Sequence, residues 1–290
     1  MLVEQEKNNV KIISFINMKG GVGKTTLCKE VGYHLAKIRN KKVLLIDTDP
    51  QANLTQSYFR KYHIKQPDSL VEDEASFTLS FASINNIFKN DGVSPTRDSA
   101  VKSLEEDGSL DIIPGDLNTV FMSRNTDSSD MNQALFNFLF MNENFDKDKY
   151  DFILIDCPPT YSEYTISAIL ASTHYIIPVK PDNYSVLGIQ MLEKVIQDIK
   201  KRNPVFFKDK PINNMGIIFT DIPLKVAKGQ EETIKLIKDA QNLDKFYFFS
   251  SHLLKNNGFF KKLDYFVDAR NSEKSKENLL GLVSEFMGRL

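Results

Sequence analysis

KIISFINMKGGVGKTT, residues 11–26, sets a short β-branched apolar run against a glycine-rich turn that opens into a helical pattern. Lys11 to Asn17 reads as a buried strand, and the stretch from about Lys24 to Ile38 as the helix after it. Glycine at positions 20, 21 and 23 lets backbone N–H groups approach a phosphate that a Cβ would hold off, and the helix N-terminus adds favourable polarity. In that arrangement Gly20, Gly21, Val22, Gly23 and Thr26 cradle phosphate oxygens. Lys24 reaches the β and γ phosphates, and the Thr25 hydroxyl coordinates Mg²⁺. The plain alternative is a glycine turn that binds nothing; GKTT between a strand and a helix argues against it. The strict GxxxxGK[ST] spacing nevertheless fails, because Met18 stands where the first glycine belongs and a second lysine, Lys19, follows it.

Working outward, VLLID (43–47) and FILID (152–156) are two more apolar runs, each ending in a carboxylate. LDIIPGD (110–116), YIIPV (175–179) and MGIIFT (215–220) read as further strands, with helical patterns at Tyr161 to Ala171, Ser185 to Lys200 and Gly229 to Gln241. Buried strands alternating with helices predict an α/β fold with three layers, a mostly parallel twisted sheet covered on both faces. Residues 66–108 are polar and read as an irregular insertion around a short helix at Ser83 to Lys89. Arg124 to Asp130, RNTDSSD, reads as a mobile loop. Leu279, Leu282, Val283 and Phe286 recur at helical spacing and predict a C-terminal helix over 272–290.

DTDPQ (47–51) sends Asp47 and Asp49 to one side of an extended chain at the carboxyl edge of the sheet, where ligands of open α/β folds bind. Alone it would be an Asx or proline turn; beside a phosphate loop it is a candidate catalytic segment. Asp156 ends its apolar strand in the manner of a Walker B carboxylate that holds Mg²⁺, and Pro158 and Pro159 break the strand after it.

With 290 residues, 41% of them hydrophobic, the chain can bury one substantial core, and residues 1–290 are expected to form a single domain. No apolar run approaches the roughly 20 residues that span a bilayer, and the charged N-terminus lacks a signal-peptide pattern, so a cytoplasmic protein is expected. Two cysteines, Cys28 and Cys157, suggest neither a disulfide framework nor a zinc site. A net charge of −1 excludes binding nucleic acid by bulk charge; any such binding must use a local patch.

KGGVGKTT, VLLIDTDPQANLT and LDIIPGDLN, together with YDFILIDCPP and IIPVKPDNYSVLGIQML, resemble the ParA-type partition ATPases of the ParA/MinD family over roughly Lys11 to Leu290. The loop resembles that family's deviant Walker A motif. The resemblance implies that Lys19 acts in trans on the nucleotide of a second subunit, that Asp49 orients the attacking water, and that Asp47 supports Mg²⁺ and its loop. It implies further an ATP- and Mg²⁺-dependent homodimer that binds double-stranded DNA without sequence preference and lets go after hydrolysis. A ParB-like centromere-binding adaptor would stimulate that step, with the protein at the nucleoid and no membrane partner. Only ten residues precede the first strand, so no N-terminal helix-turn-helix is expected. FFSSHLLKNNGFFKKLDYF departs from the family's Ile-Pro before a basic loop. Candidate DNA contacts are Lys225, Lys228, Lys235, Lys238, Lys261 and Lys262, with Lys200, Lys201, Arg202 and Lys255 as further basic positions, each of which is equally explained as a solvated face. Two rivals share the scaffold: a MinD-like ATPase that uses residues 277–290 as a membrane helix, and a metabolic P-loop enzyme, which needs no trans-acting lysine.

Overall fold

The computed structural model describes residues 10–67, 77–89, 93–119, 127–208, 210–258, 264–267 and 273–290. In chain order the strands are β1 (Lys11–Phe15), β2 (Val43–Asp47), β3 (Ile64–Lys65), β4 (Thr78–Leu79), β5 (Lys102–Ser103), β6 (Leu110–Ile113), β7 (Phe152–Asp156), β8 (His174–Val179) and β9 (Asn213–Phe219). The helices are α1 (Lys24–Lys37), α2 (Asn53–Lys61), α3 (Asn85–Phe88), α4 (Arg97–Ala100), α5 (Ser128–Phe136), α6 (Glu163–Ala171), α7 (Ser185–Arg202), α8 (Pro204–Lys208), α9 (Lys228–Lys238) and α10 (Glu273–Gly288). Seven strands form one sheet in the order β5-β6-β2-β7-β1-β8-β9, parallel throughout except for the β5–β6 pair.

Strand alternation explains the three layers. Ile12, Leu44, Ile46, Ile153 and Ile155 face one core with residues of α5, α6 and α7. Ile13, Phe15, Val43, Leu45 and Leu154 face the other, with α1, α2 and α10. A strand buried on both faces must be apolar at every position, which is why VLLID and FILID are continuous runs. The register sets Asp47 beside Asp156 and Asp156 beside Phe15, so three strand ends finish level at one edge.

Three sequence expectations change. Asp127 caps α5 by accepting from the Ser129 amide at 2.7 Å, so Ser128 to Asp130 open a helix rather than lie in a loop. The Asp and Ser side chains that favour turns also favour N-caps, and composition alone does not separate the two. Residues 124–126 of that predicted loop lie outside the described residues. α2 was not predicted, and the 66–108 stretch carries, where described, β4, α3, α4 and β5.

α10 stacks Phe286 on Phe15 at 6.3 Å and buries Leu279, Leu282 and Val283 against the α1 side of the sheet. The apolar stripe that a membrane-binding helix would present is therefore consumed by the core. Among the described residues, no helix is long and apolar enough to cross a membrane. Glu285 pins α10 further, accepting from the amides of Ser250 (2.7 Å) and Ser251 (2.8 Å) and from the Tyr247 hydroxyl (2.8 Å). Burial alone would raise its pKa, but these donors outweigh burial and hold the carboxyl at about 2. A folded pKa below the unfolded one, about 4.3, gives stabilisation that is present above pH ~4.5 and lost as pH falls toward the folded value. Glu285→Gln should lower Tm at pH 7 by more than at pH 3, as measured by thermal melts. An equal loss at both would contradict this.

Candidate functional site

All parallel strands deliver their following loops to the same edge, and the site is built there. After β1, Asn17 donates its amide to the Pro178 carbonyl at 2.8 Å and accepts from the Lys19 amide at 2.9 Å, tying the phosphate loop to the end of β8. Gly21 (φ 70°) and Gly23 (φ 80°) take the left-handed backbone that aims successive N–H groups inward, a conformation that strains other residues. The Thr220 hydroxyl, at the end of β9, donates to the Val22 carbonyl at 2.7 Å and closes the far side of the loop. Thr25 and Thr26 are half-buried in the first turn of α1.

Lys24 is 6% exposed and lies among Asp156, Asp49 and Cys157. Burial lowers its pKa, opposed chiefly by the charge of Asp156. Its ammonium donates to the Lys19 carbonyl at 3.2 Å, so the loop is folded back on its own lysine. Lys19, half-exposed at the rim, pairs with Asp182 of the loop after β8.

The acidic strand ends differ in what holds them. Asp47 is fully buried, and its oxygens accept from the Thr55 amide (2.8 Å), the Thr55 hydroxyl (2.7 Å) and the Asp49 amide (3.3 Å). Of its two expected roles, loop support is the one the geometry carries: Asp47 ties the start of α2 to the end of β2. Gly115 lies against it, and a Cβ there would come within 3.0 Å of the carboxyl carbon. Asp49 Oδ1 accepts from the Gln51 amide at 2.9 Å, which fixes the side chain and leaves its second oxygen for another donor. Asp156 is fully buried and neither of its oxygens has a hydrogen-bond partner. Burial pushes its pKa well above the usual carboxylate range, Asp47 adds to the rise, and Thr25 and Lys24 oppose it.

An unpartnered buried carboxylate costs folding free energy, so its persistence beside a threonine hydroxyl argues for a ligand. Three carboxyl groups share this floor with one lysine; burial raises the pKa of Asp47 to about 7 as it raises that of Asp156, and a bound cation would hold both in their charged form. A Cβ at Gly20 or Gly21 would meet nothing within 4 Å, so the loop opens on space of the kind a phosphate group fills. These residues fit a phosphate-bound divalent ion, with Thr25 and Asp156 as its ligands.

The basic candidates do not converge. Lys225, Lys228, Lys235 and Lys238 are exposed on α9 and the loop before it, interleaved with Glu231, Glu232 and Asp239. Lys235 and Lys238 line a groove of about 340 Å³ together with Phe219, Phe249 and His252. Lys200 is spent on the Ile212 carbonyl and Arg202 on Asp198. Lys261 and Lys262 lie outside the described residues. Sequence reasoning missed Asn17, Thr55, Asp182 and Thr220; only Asn17 and Thr220 carried a local signal, as polar residues ending apolar strands.

An AAA domain family model (AAA_31) matches residues 10–208. The chain is similar to a protein described as the virulence plasmid ParA family protein pGP5-D. The form from Chlamydia psittaci is 27% identical over 97% of this chain and 96% of the relative, and the form from Chlamydia trachomatis is 31% identical over 78% and 79%. The fold is also that of a plasmid partition protein from Borrelia burgdorferi solved with AMPPNP (TM-score 0.70, 20% identity, 97% of this chain and 100% of that one).

Proposed function

The chain belongs to the ParA family of AAA-domain P-loop ATPases, and from that premise we propose that it is a partition ATPase whose ATP-bound homodimer holds DNA without sequence preference and releases it on hydrolysis. The observation that carries the reading is the meeting, at one sheet edge, of Lys24, unpartnered Asp156 and loop-held Asp49, with a second lysine at the rim. The ligands are ATP and Mg²⁺. Thr25 and Asp156 would hold the Mg²⁺, which would supply charge neutralisation at the phosphates.

The residues divide the work. On binding, Lys24 leaves the Lys19 carbonyl for the phosphates. Backbone N–H groups from Gly20 to Thr26 wrap the phosphate oxygens. Asp49 uses its free oxygen to orient the attacking water, which suffices because phosphoryl transfer asks mainly for positioning and charge neutralisation. Lys19 crosses to the nucleotide of the second subunit, so each site is complete only in the pair. Tyr184, just before α7, and Leu187 and Met191 in its first turns are exposed at helical spacing and follow Asp182, the partner of Lys19, an apolar surface that a second copy would cover.

DNA as the cargo is supported by the relatives, which carry plasmid and partition descriptions. A ParB-like adaptor would then trigger hydrolysis. Retention of the protein on nonspecific duplex DNA, measured with ATP, ADP and no nucleotide across a salt series, tests the reading. Retention should appear with ATP alone and fall steeply with salt, the logarithmic slope gaining about −0.9 for each phosphate contacted. Equal retention in all three states would contradict it.

A further inference from the structure

We propose that Lys210 is a site of covalent modification, an amine placed to take an acyl group from small acyl phosphates. It lies between α8 and β9 and is half-buried. Its Nζ donates to the Ala171 carbonyl, at the end of α6, at 2.5 Å. The same nitrogen stands 4.3 Å from the centroid of the Phe140 ring and 5.8 Å from that of Phe136. Phe136 closes the box, stacking on Phe140 and meeting Phe206 of α8 edge-on, each at 4.8 Å. Phe140 belongs to Asn137–Met141, a wide π-helical turn that continues α5, and such turns recur at functional sites.

Two features of this box make the amine nucleophilic rather than merely cationic. Aromatic walls strip water from the nitrogen, which disfavours the ammonium form. Lys147 sets a second ammonium over the same Phe140 ring, 5.3 Å from its centroid. Among the described residues, no carboxylate pairs with Lys210 to offset that like charge. The ring faces and the Ala171 carbonyl attract the ammonium, yet burial first and Lys147 second prevail and lower the pKa to about 7. About half of Lys210 is then free amine at neutral pH, against fewer than roughly one in 10³ for an ordinary lysine. Desolvation and a neighbouring cation are both means by which proteins activate lysine as a nucleophile.

Lys147 also selects the donor. An acyl phosphate carries its negative charge on the leaving group, so the Lys147 ammonium attracts the phosphate while Lys210 meets the acyl carbon. The free amine adds to that carbon, the carbon–oxygen bond to phosphate breaks, and inorganic phosphate departs with the electron pair. One proton leaves the nitrogen for solvent, and the amide formed keeps one N–H for the Ala171 carbonyl. α6 ends just before β8 begins, so the cluster lies at the sheet edge opposite the phosphate loop, and the reaction leaves the nucleotide residues untouched.

Incubation of the intact protein with limiting acetyl phosphate, followed by peptide mass mapping, tests this. At pH 7, Lys210 should be acetylated at least about ten-fold faster than the exposed Lys225 and Lys228, and its rate should level off above pH ~8. Lys147→Met should lower the Lys210 rate about two- to five-fold, since the like charge and the attraction for phosphate are both gone. Acetylation of Lys210 no faster than that of Lys225 and Lys228 would overturn the proposal. So would a rate that keeps climbing to about pH 10, as an ordinary lysine's does, or one unchanged in Lys147→Met.

Discussion

Asp49→Ala is expected to lower the ATP turnover number by about 10²- to 10⁴-fold, the range associated with removing a positioned group that handles the proton of the attacking water. ATP affinity should stay within a few-fold of wild type, because the phosphate loop, Lys24 and Asp156 are untouched. The dimer should consequently accumulate, since what dissolves it is hydrolysis. The geometry explains why the substitution is clean: Asp49 sits on the loop through the Gln51 amide, whereas the buried anchoring of that loop belongs to Asp47 and Thr55. Steady-state phosphate release and equilibrium nucleotide binding check the two halves separately. A parallel loss of binding and turnover would assign Asp49 a structural role instead.

Lys19→Ala is the second large effect, with an opposite signature. Nucleotide should still bind a single subunit, since Lys24 and the loop amides remain, but dimerisation with ATP should be lost and turnover should fall by about 10²-fold or more, as when a charge-stabilising group supplied by a partner is removed. Stability should change by no more than about 1 kcal/mol, because the Lys19–Asp182 pair is partly solvated. Sedimentation with and without ATP, alongside a thermal melt, separates this from unfolding.

Much of the fold was legible because a sheet buried on both faces leaves continuous apolar runs. VLLID and FILID have the boundaries of β2 and β7, and their terminal carboxylates stand where the strand ends predicted. The phosphate loop was legible because glycine, lysine and threonine each have a separate physical duty at fixed spacing. What escaped depends on distance along the chain. Lys19 meets Asp182 across 163 residues and Val22 meets Thr220 across 198, separations that no local pattern encodes. The division of labour among the carboxylates was equally hidden. Asp47 and Asp156 look alike as strand ends, and only the position of Thr55 makes one a loop anchor and leaves the other open for a cation. The start of α5 was misread for a different reason, since Asp127 and the serines after it serve a cap as readily as a turn.

The central claim is that the site is completed by a second copy, and mixing the two variants tests it. Lys19→Ala lacks the lysine and Asp49→Ala lacks the water-orienting carboxylate, so each alone should be nearly inactive. If Lys19 acts across the interface, the mixed dimer contains one site with its own Asp49 and the partner's lysine. Turnover in the equal mixture should then exceed the sum of the two separate variants and rise to at most about one quarter of wild type, the limit for random pairing, in which half of the dimers are mixed and one site in each is whole. Turnover in the mixture that never exceeds the sum of the separate variants would contradict the account.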